Sequence, residues 1–303
     1  MKRTISLLLS VIVLLSVLTG CNISGGEKSY DYKDSYDRLY QSVMEQEYAI
    51  DALENGTAGK FAEGEICVCF GDSLLGLPES GEDYASVIAA ETGLTTVNAG
   101  FGAASIAKNP NEAYDAFSLC RLVNAVVNGD WTLQDARVAE LPLPNSAARL
   151  AALKEVDWSK VSVVTLGMGL NDINDGYVIE NAENAKDITT VKGALRYSIE
   201  TLLTKYPHLK IMVLTPTYRY MYNSNVGCDE ILYNGSTYEQ YIDAIISVAE
   251  EYKLPYIDLY RTLGFNAYNF KYYYLEGDGT HLNSKGNTRI GKRISNELLR
   301  EFN

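Results

Sequence analysis

Ser73 stands in Gly71-Asp72-Ser73-Leu74, directly after the apolar run 66–70. A serine just past the end of a strand, in a tight glycine-containing turn, is placed as an exposed nucleophile, although Gly-Asp-Ser is also a common turn. The next glycine is Gly76, three places on rather than two, so this is not the Gly-x-Ser-x-Gly elbow. A serine hydroxyl is a poor nucleophile until a base takes its proton, and that base is usually histidine. The chain has two histidines. His208, in Tyr206-Pro207-His208-Leu209, reads as a structural loop residue ahead of a strand. His281, in Asp278-Gly279-Thr280-His281, is the remaining candidate base, with Asp278 placed to orient its imidazole. A loop leading into the final helix is the plainer reading of a bare Asp-x-x-His, and the scarcity of histidine gives His281 its weight.

Two more segments carry groups of this chemistry. Gly167-Met168-Gly169-Leu170-Asn171-Asp172 follows the apolar run 161–166, and the Asn171 amide there can donate to a developing oxyanion or simply serve a turn or helix cap. In Asn98-Ala99-Gly100-Phe101-Gly102-Ala103 the glycines allow backbone N–H groups to face a ligand, or form an ordinary glycine-rich loop.

These residues need a scaffold. Apolar runs at 66–70, 95–98, 161–166, 211–214 and 256–259 predict strands, and helical periodicity predicts helices over 83–92, 112–128, 146–155, 191–205 and 238–252. Strands alternating with helices predict a parallel sheet covered on both faces, with reactive residues gathered at the carboxyl ends of the strands.

The four blocks Gly71-Asp-Ser73-Leu74, Asn98-Ala-Gly-Phe-Gly102, Gly169-Leu-Asn171-Asp172 and Asp278-Gly-Thr-His281, in that order, resemble those of the GDSL or SGNH hydrolases, and the likeness spans residues 64–298. The resemblance implies a flavodoxin-like α/β/α sandwich around about five parallel strands, and a triad of Ser73, His281 and Asp278. It also implies an oxyanion hole from serine, glycine and asparagine, and no cofactor or metal. The family's second-block glycine falls five residues after the asparagine, where this chain has Ala103, with Gly102 one place earlier; a backbone N–H serves from either if the dihedrals stay allowed. A long stretch, 104–160, departs from the family pattern and reads equally as a wall of the site or as a structural insertion.

The chain's start reads as an export signal. Lys2 and Arg3 precede an apolar segment over 5–18, and Leu18-Thr19-Gly20-Cys21 looks like a bacterial lipobox that would leave Cys21 lipidated. The expected organisation is a signal peptide at 1–20, a tether at 21–29, a helical extension at 30–60 and the hydrolase domain at 61–303. The expected location is the extracytoplasmic face of the membrane, held by lipid. A formal charge of −13 argues against nucleic acid as a partner and against anionic lipid as a surface ligand. Cys67 and Cys69 share one face of a strand, and with Cys120 and Cys228 they read as buried thiols.

Hydrolysis of carboxylic esters is the activity these readings converge on, with O-acyl groups on glycans as the favoured substrate. The rivals are a lysophospholipase or thioesterase for longer chains, and a catalytically idle surface-binding protein. The 23 tyrosines, among them Tyr272-Tyr273-Tyr274, read either as a sugar-binding surface or as core and sheet packing.

Overall fold

The computed structural model describes residues 60–302, apart from 79–80 and 141–142. The leader, Cys21, the tether and the helix expected after it lie outside the described residues. The central element is a five-stranded parallel sheet formed by β1 (Ile66–Gly71), β2 (Thr95–Gly100), β3 (Val161–Gly167), β4 (Lys210–Leu214) and β5 (Tyr256–Ile257). Its spatial order is β2-β1-β3-β4-β5, the flavodoxin-like order. Strands covered on both faces should be apolar almost throughout, and Cys67–Phe70, Val163–Leu166 and Ile211–Leu214 are all buried.

Helices flank the sheet in two groups. On one side α2 (Tyr84–Thr92) packs against α8 (Ser284–Phe302); in the other group α6 (Val191–Lys205) packs against α3 (Leu119–Asn128) and α7 (Tyr238–Glu251). The short helix α1 (Ser73–Gly76) follows β1, α4 (Ser146–Lys154) packs on β2, and α5 (Leu170–Asn174) follows β3.

Two expectations are corrected. The helix expected over 112–128 is broken into Glu112–Asp115 and α3, because the Leu119 N–H donates to the Ser105 carbonyl at 2.8 Å and the Ser118 backbone is extended there. The last strand ends at Ile257 rather than 259, since the Asp258 carboxylate accepts from the Arg261 N–H and starts a short helix at Leu259–Thr262.

The stretch 104–160 is largely scaffold. Its Trp158 stacks between Phe70 and Tyr206, and α3 lies in the core. At its far end Asn145 and Arg149 donate to the carbonyls of Leu77 and Pro78, bracing the chain just beyond α1. Leu143, however, lies 3.6 Å from where a side chain on Gly102 would begin, so one residue of the stretch does border the glycine loop.

Gly76 has a physical task. A Cβ there would stand 2.8 Å from the Gly100 carbonyl oxygen, and one on Gly100 would stand 2.7 Å from the Gly76 nitrogen. The turn carrying Ser73 thus packs backbone to backbone on the end of β2, which explains a glycine three places after the serine.

Candidate active site

Ser73, Asp278 and His281, 208 residues apart at their extremes, meet at the carboxyl end of the sheet. Asp72 caps α1 by accepting from the Leu74 N–H at 2.9 Å, which leaves Ser73 at the helix start, half-buried. The Ser73 Oγ lies 2.9 Å from His281 Nε2, and His281 Nδ1 lies 2.7 Å from Asp278 Oδ2. The other oxygen of Asp278 accepts from the Thr280 and His281 N–H groups at 2.7 and 2.8 Å. Burial alone would raise the Asp278 carboxyl, but the bonds from the His281 ring, its N–H and the Thr280 N–H more than offset that and hold it below its usual range. An ionised Asp278 keeps the proton on Nδ1 and leaves Nε2 free to accept from the serine hydroxyl. The turn is close-packed, since a Cβ on Gly279 would fall 2.1 Å from the Tyr220 carbonyl oxygen.

His208 is exposed and makes an edge contact with Tyr206, away from this group. Tyr273 and Tyr274 are core residues and only Tyr272 of that trio is exposed, under the Lys285 ammonium. All four cysteines of the domain are free and buried, with the Cys67 and Cys69 sulfurs 3.7 Å apart. Among the described residues no cluster of three or more His, Cys, Asp or Glu is arranged to hold a metal.

Asn171 sits on α5 and donates one amide N–H to the Ala104 carbonyl at 2.8 Å, leaving its second N–H. Asn98 orders the opposing loop, donating to the Leu75 carbonyl and accepting from the Gly100 N–H. Among the described residues neither the Gly102 nor the Ala103 N–H donates to a backbone carbonyl outside helices and strands. Ala103 has φ +58°, the left-handed region that glycine adopts freely and alanine only with strain.

Two buried carboxylates that the sequence reading left without a role tie these loops together. Asp172 accepts from the Ile106 and Ala107 N–H groups at 2.8 and 2.9 Å, and so fastens α5 to the loop after β2. Asp72 is bonded by the Leu170 N–H as well as by Leu74, which fastens α1 to α5. Burial pushes Asp172 up to about 7 and Asp72 up to about 6, against the pull of those N–H groups. The only sequence signal was local: Gly-Asp-Ser before a helix start is an N-cap pattern, whereas nothing near Asp172 announces Ile106.

A family-wide sequence profile for the GDSL-like lipases and acylhydrolases matches residues 69–289. The chain belongs to that family. It is therefore an ester hydrolase. No curated relative matches it in sequence. A protein from Lactobacillus plantarum shares the fold at 17% identity with a TM-score of 0.57, over 80% of this chain and all of its own. A possible lipase from Chitinophaga pinensis does so at 17% identity and a TM-score of 0.53, over 78% of this chain and 98% of its own.

In this acylhydrolase Ala103 holds a left-handed backbone that glycine adopts without strain, so Ala103→Gly should leave stability unchanged or raise it by up to about 1 kcal/mol. Ala103→Val, stiffer at the same φ, should cost about 1–2 kcal/mol, both read by denaturant unfolding. A loss on Ala103→Gly comparable to that of Ala103→Val would contradict the left-handed assignment.

The Asp172 carboxyl also predicts a pH dependence. Folded, it keeps its proton to about pH 7; unfolded, it loses it near 3.8. Between those values the native state binds more protons, so this group makes stability fall as pH rises. Asp172→Asn should flatten the pH dependence of unfolding free energy over that window by up to about one proton. A variant whose slope matched the wild type would show that Asp172 titrates at its ordinary value.

Proposed function

We propose that this acylhydrolase cleaves carboxylic esters with Ser73 as nucleophile, His281 as general base and then acid, and Asp278 as the group that orients and stabilises the imidazolium. The unbroken line from Ser73 Oγ through His281 to Asp278 carries this reading. As Ser73 Oγ attacks the ester carbonyl, its proton passes to Nε2, and that proton is next delivered to the departing alcohol. Water then attacks the acyl-enzyme with His281 again as base. The oxyanion is received by the Ser73 N–H, by the N–H of Ala103 or Gly102, and by the second amide N–H of Asn171. The left-handed φ at Ala103 favours that residue over Gly102, because it marks the position built for glycine.

The proposed setting is the outer face of the membrane, with Cys21 lipidated and residues 21–29 as tether. Among the described residues no helix is long and apolar enough to cross a membrane. Such a location gives access to extracellular polymers, and the proposed substrates are short O-acyl groups, acetyl above all, on glycans. A polar cleft holding Asn174, Arg219 and Asn234 supports a hydrated alcohol portion. Hydrolysis of a nitrophenyl ester series tests the acyl side: rates should fall beyond acetyl and propionyl, and a rise toward long chains would replace this reading with a lysophospholipase or thioesterase.

Ser73→Ala and His281→Ala should each lower kcat on an acetyl ester by roughly 10⁴–10⁶-fold, and the double variant should fall no further, because the pair acts as a unit. Asn171→Ala should cost roughly 10²–10³-fold in kcat with little change in KM. Normal labelling of His281→Ala by a fluorophosphonate, with labelling lost in His208→Ala, would overturn the choice of base.

Cys21→Ala should shift the protein from the membrane fraction to the soluble one or leave its leader uncut, with turnover retained. Cleavage after Gly20 together with full membrane retention would argue against a lipid anchor.

A further inference from the structure

Arg219 lies in the loop after β4, and its backbone is bonded to Cys228 in both directions. From there its guanidinium reaches two neutral acceptors. Nε donates to the Thr280 hydroxyl at 2.8 Å, and Nη1 donates to the Asn174 side-chain oxygen. Thr280 immediately precedes His281, and Asn174 lies one helical turn beyond Asn171, so Arg219 joins the base loop to the asparagine helix.

The same guanidinium borders an open cleft of about 700 Å³, shared with Asn174, Asp175, Met221, Tyr233 and Asn234. Among the described residues no carboxylate lies within ion-pair distance of Arg219, in a chain that carries 39 acidic residues against 26 basic ones. An arginine has five N–H donors, and the two bonds leave three of them. A cation held in place by neutral oxygens, with N–H donors left over on the wall of a cleft and tied to the residue before His281, is prepared for a planar oxyanion. Asp175 on the same cleft disfavours a doubly charged phosphate more than a singly charged carboxylate.

We propose that Arg219 is the specificity-determining residue of this hydrolase and that it binds a carboxylate carried by the ester substrate. The proposal rests on the ester-hydrolase reading of Ser73 for the reaction but not for the binding. The carboxylate comes either from the alcohol side, as in an O-acylated uronic acid, or from the acyl side, as in a half-ester of a dicarboxylic acid.

Matched pairs separate these sources. On the alcohol side, kcat/KM is measured for acetylated glucuronic acid and acetylated glucose; on the acyl side, for nitrophenyl hemisuccinate and nitrophenyl butyrate. The acid should be preferred by roughly tenfold or more in one pair, the factor that one charge-assisted hydrogen bond provides. Arg219→Gln should bring that ratio to within about twofold of unity, and Arg219→Lys should restore part of it. A residue that only braced Thr280 would change both members of a pair alike and leave the ratio intact. Titration of the Ser73→Ala protein with glucuronate against glucose, and succinate against succinamide, reads the same preference without turnover. Absent turnover with acid-selective binding would sink the hydrolytic reading alone. No acid preference in the wild type in either pair or titration, or an unchanged one in Arg219→Gln, overturns the role given to Arg219.

Discussion

The Asp172 carboxylate, buried beneath the site, holds two backbone N–H groups from a loop that sequence places 65 residues away. The site groups depend on this contact because none of them sits within a strand. Ser73 begins a four-residue helix, Ala103 lies in a loop, Asn171 is the second residue of a five-residue helix, and His281 lies in a turn. Asp172 joins the asparagine helix to the alanine loop, and Asp72 joins the serine helix to the asparagine helix. Arg219 adds the turn that carries His281, through Thr280 and Asn174. The Asp172 and Asp72 links are buried, where hydrogen bonds gain strength from exclusion of water, while the Arg219 link lies nearer the surface.

Burying two carboxylates beneath Ser73 and Asn171 has a cost, and the structure offsets it by direction of ionisation. Desolvation drives Asp72 and Asp172 toward their neutral forms near pH 6 and 7, while Asp278 is held ionised by donors on both of its oxygens. Negative charge is thereby concentrated at Asp278, beside the imidazole, and lessened at Asp72 and Asp172. The strand order contributes as well: β1 and β3 are neighbours whose connections leave in opposite directions, so a crevice opens at their ends, where the helices carrying Ser73 and Asn171 begin.

The left-handed Ala103 shows how a departure from a family pattern is accommodated. A Cβ is tolerated because the loop is held from both sides, by the Gly100–Gly76 contact and by the Asp172 bonds to Ile106 and Ala107, which leaves the backbone little choice of dihedral. Strain of about 1 kcal/mol is small beside that restraint.

Periodicity and apolar runs were sufficient to read the five strands and the principal helices between them, because burial on two faces leaves marks on residue type, while the scarcity of histidine and the order of the motif blocks singled out Ser73, Asp278 and His281 as candidates. The sequence by itself thus determined the order of the elements and marked candidate groups in the segments that follow three of the strands and precede the last helix. Tertiary structure alone decided the rest. The break before α3 depends on a carbonyl fourteen residues earlier, the glycine at 76 on a strand end that only folding brings beside it, and the role of Asp172 on two N–H groups with no local signature. Arg219 is likewise silent in sequence, since a lone arginine has no periodicity, and only folding brings it to Thr280 and Asn174. Backbone donors and buried carboxylates act through distance rather than through order along the chain, and distance is what the fold supplies.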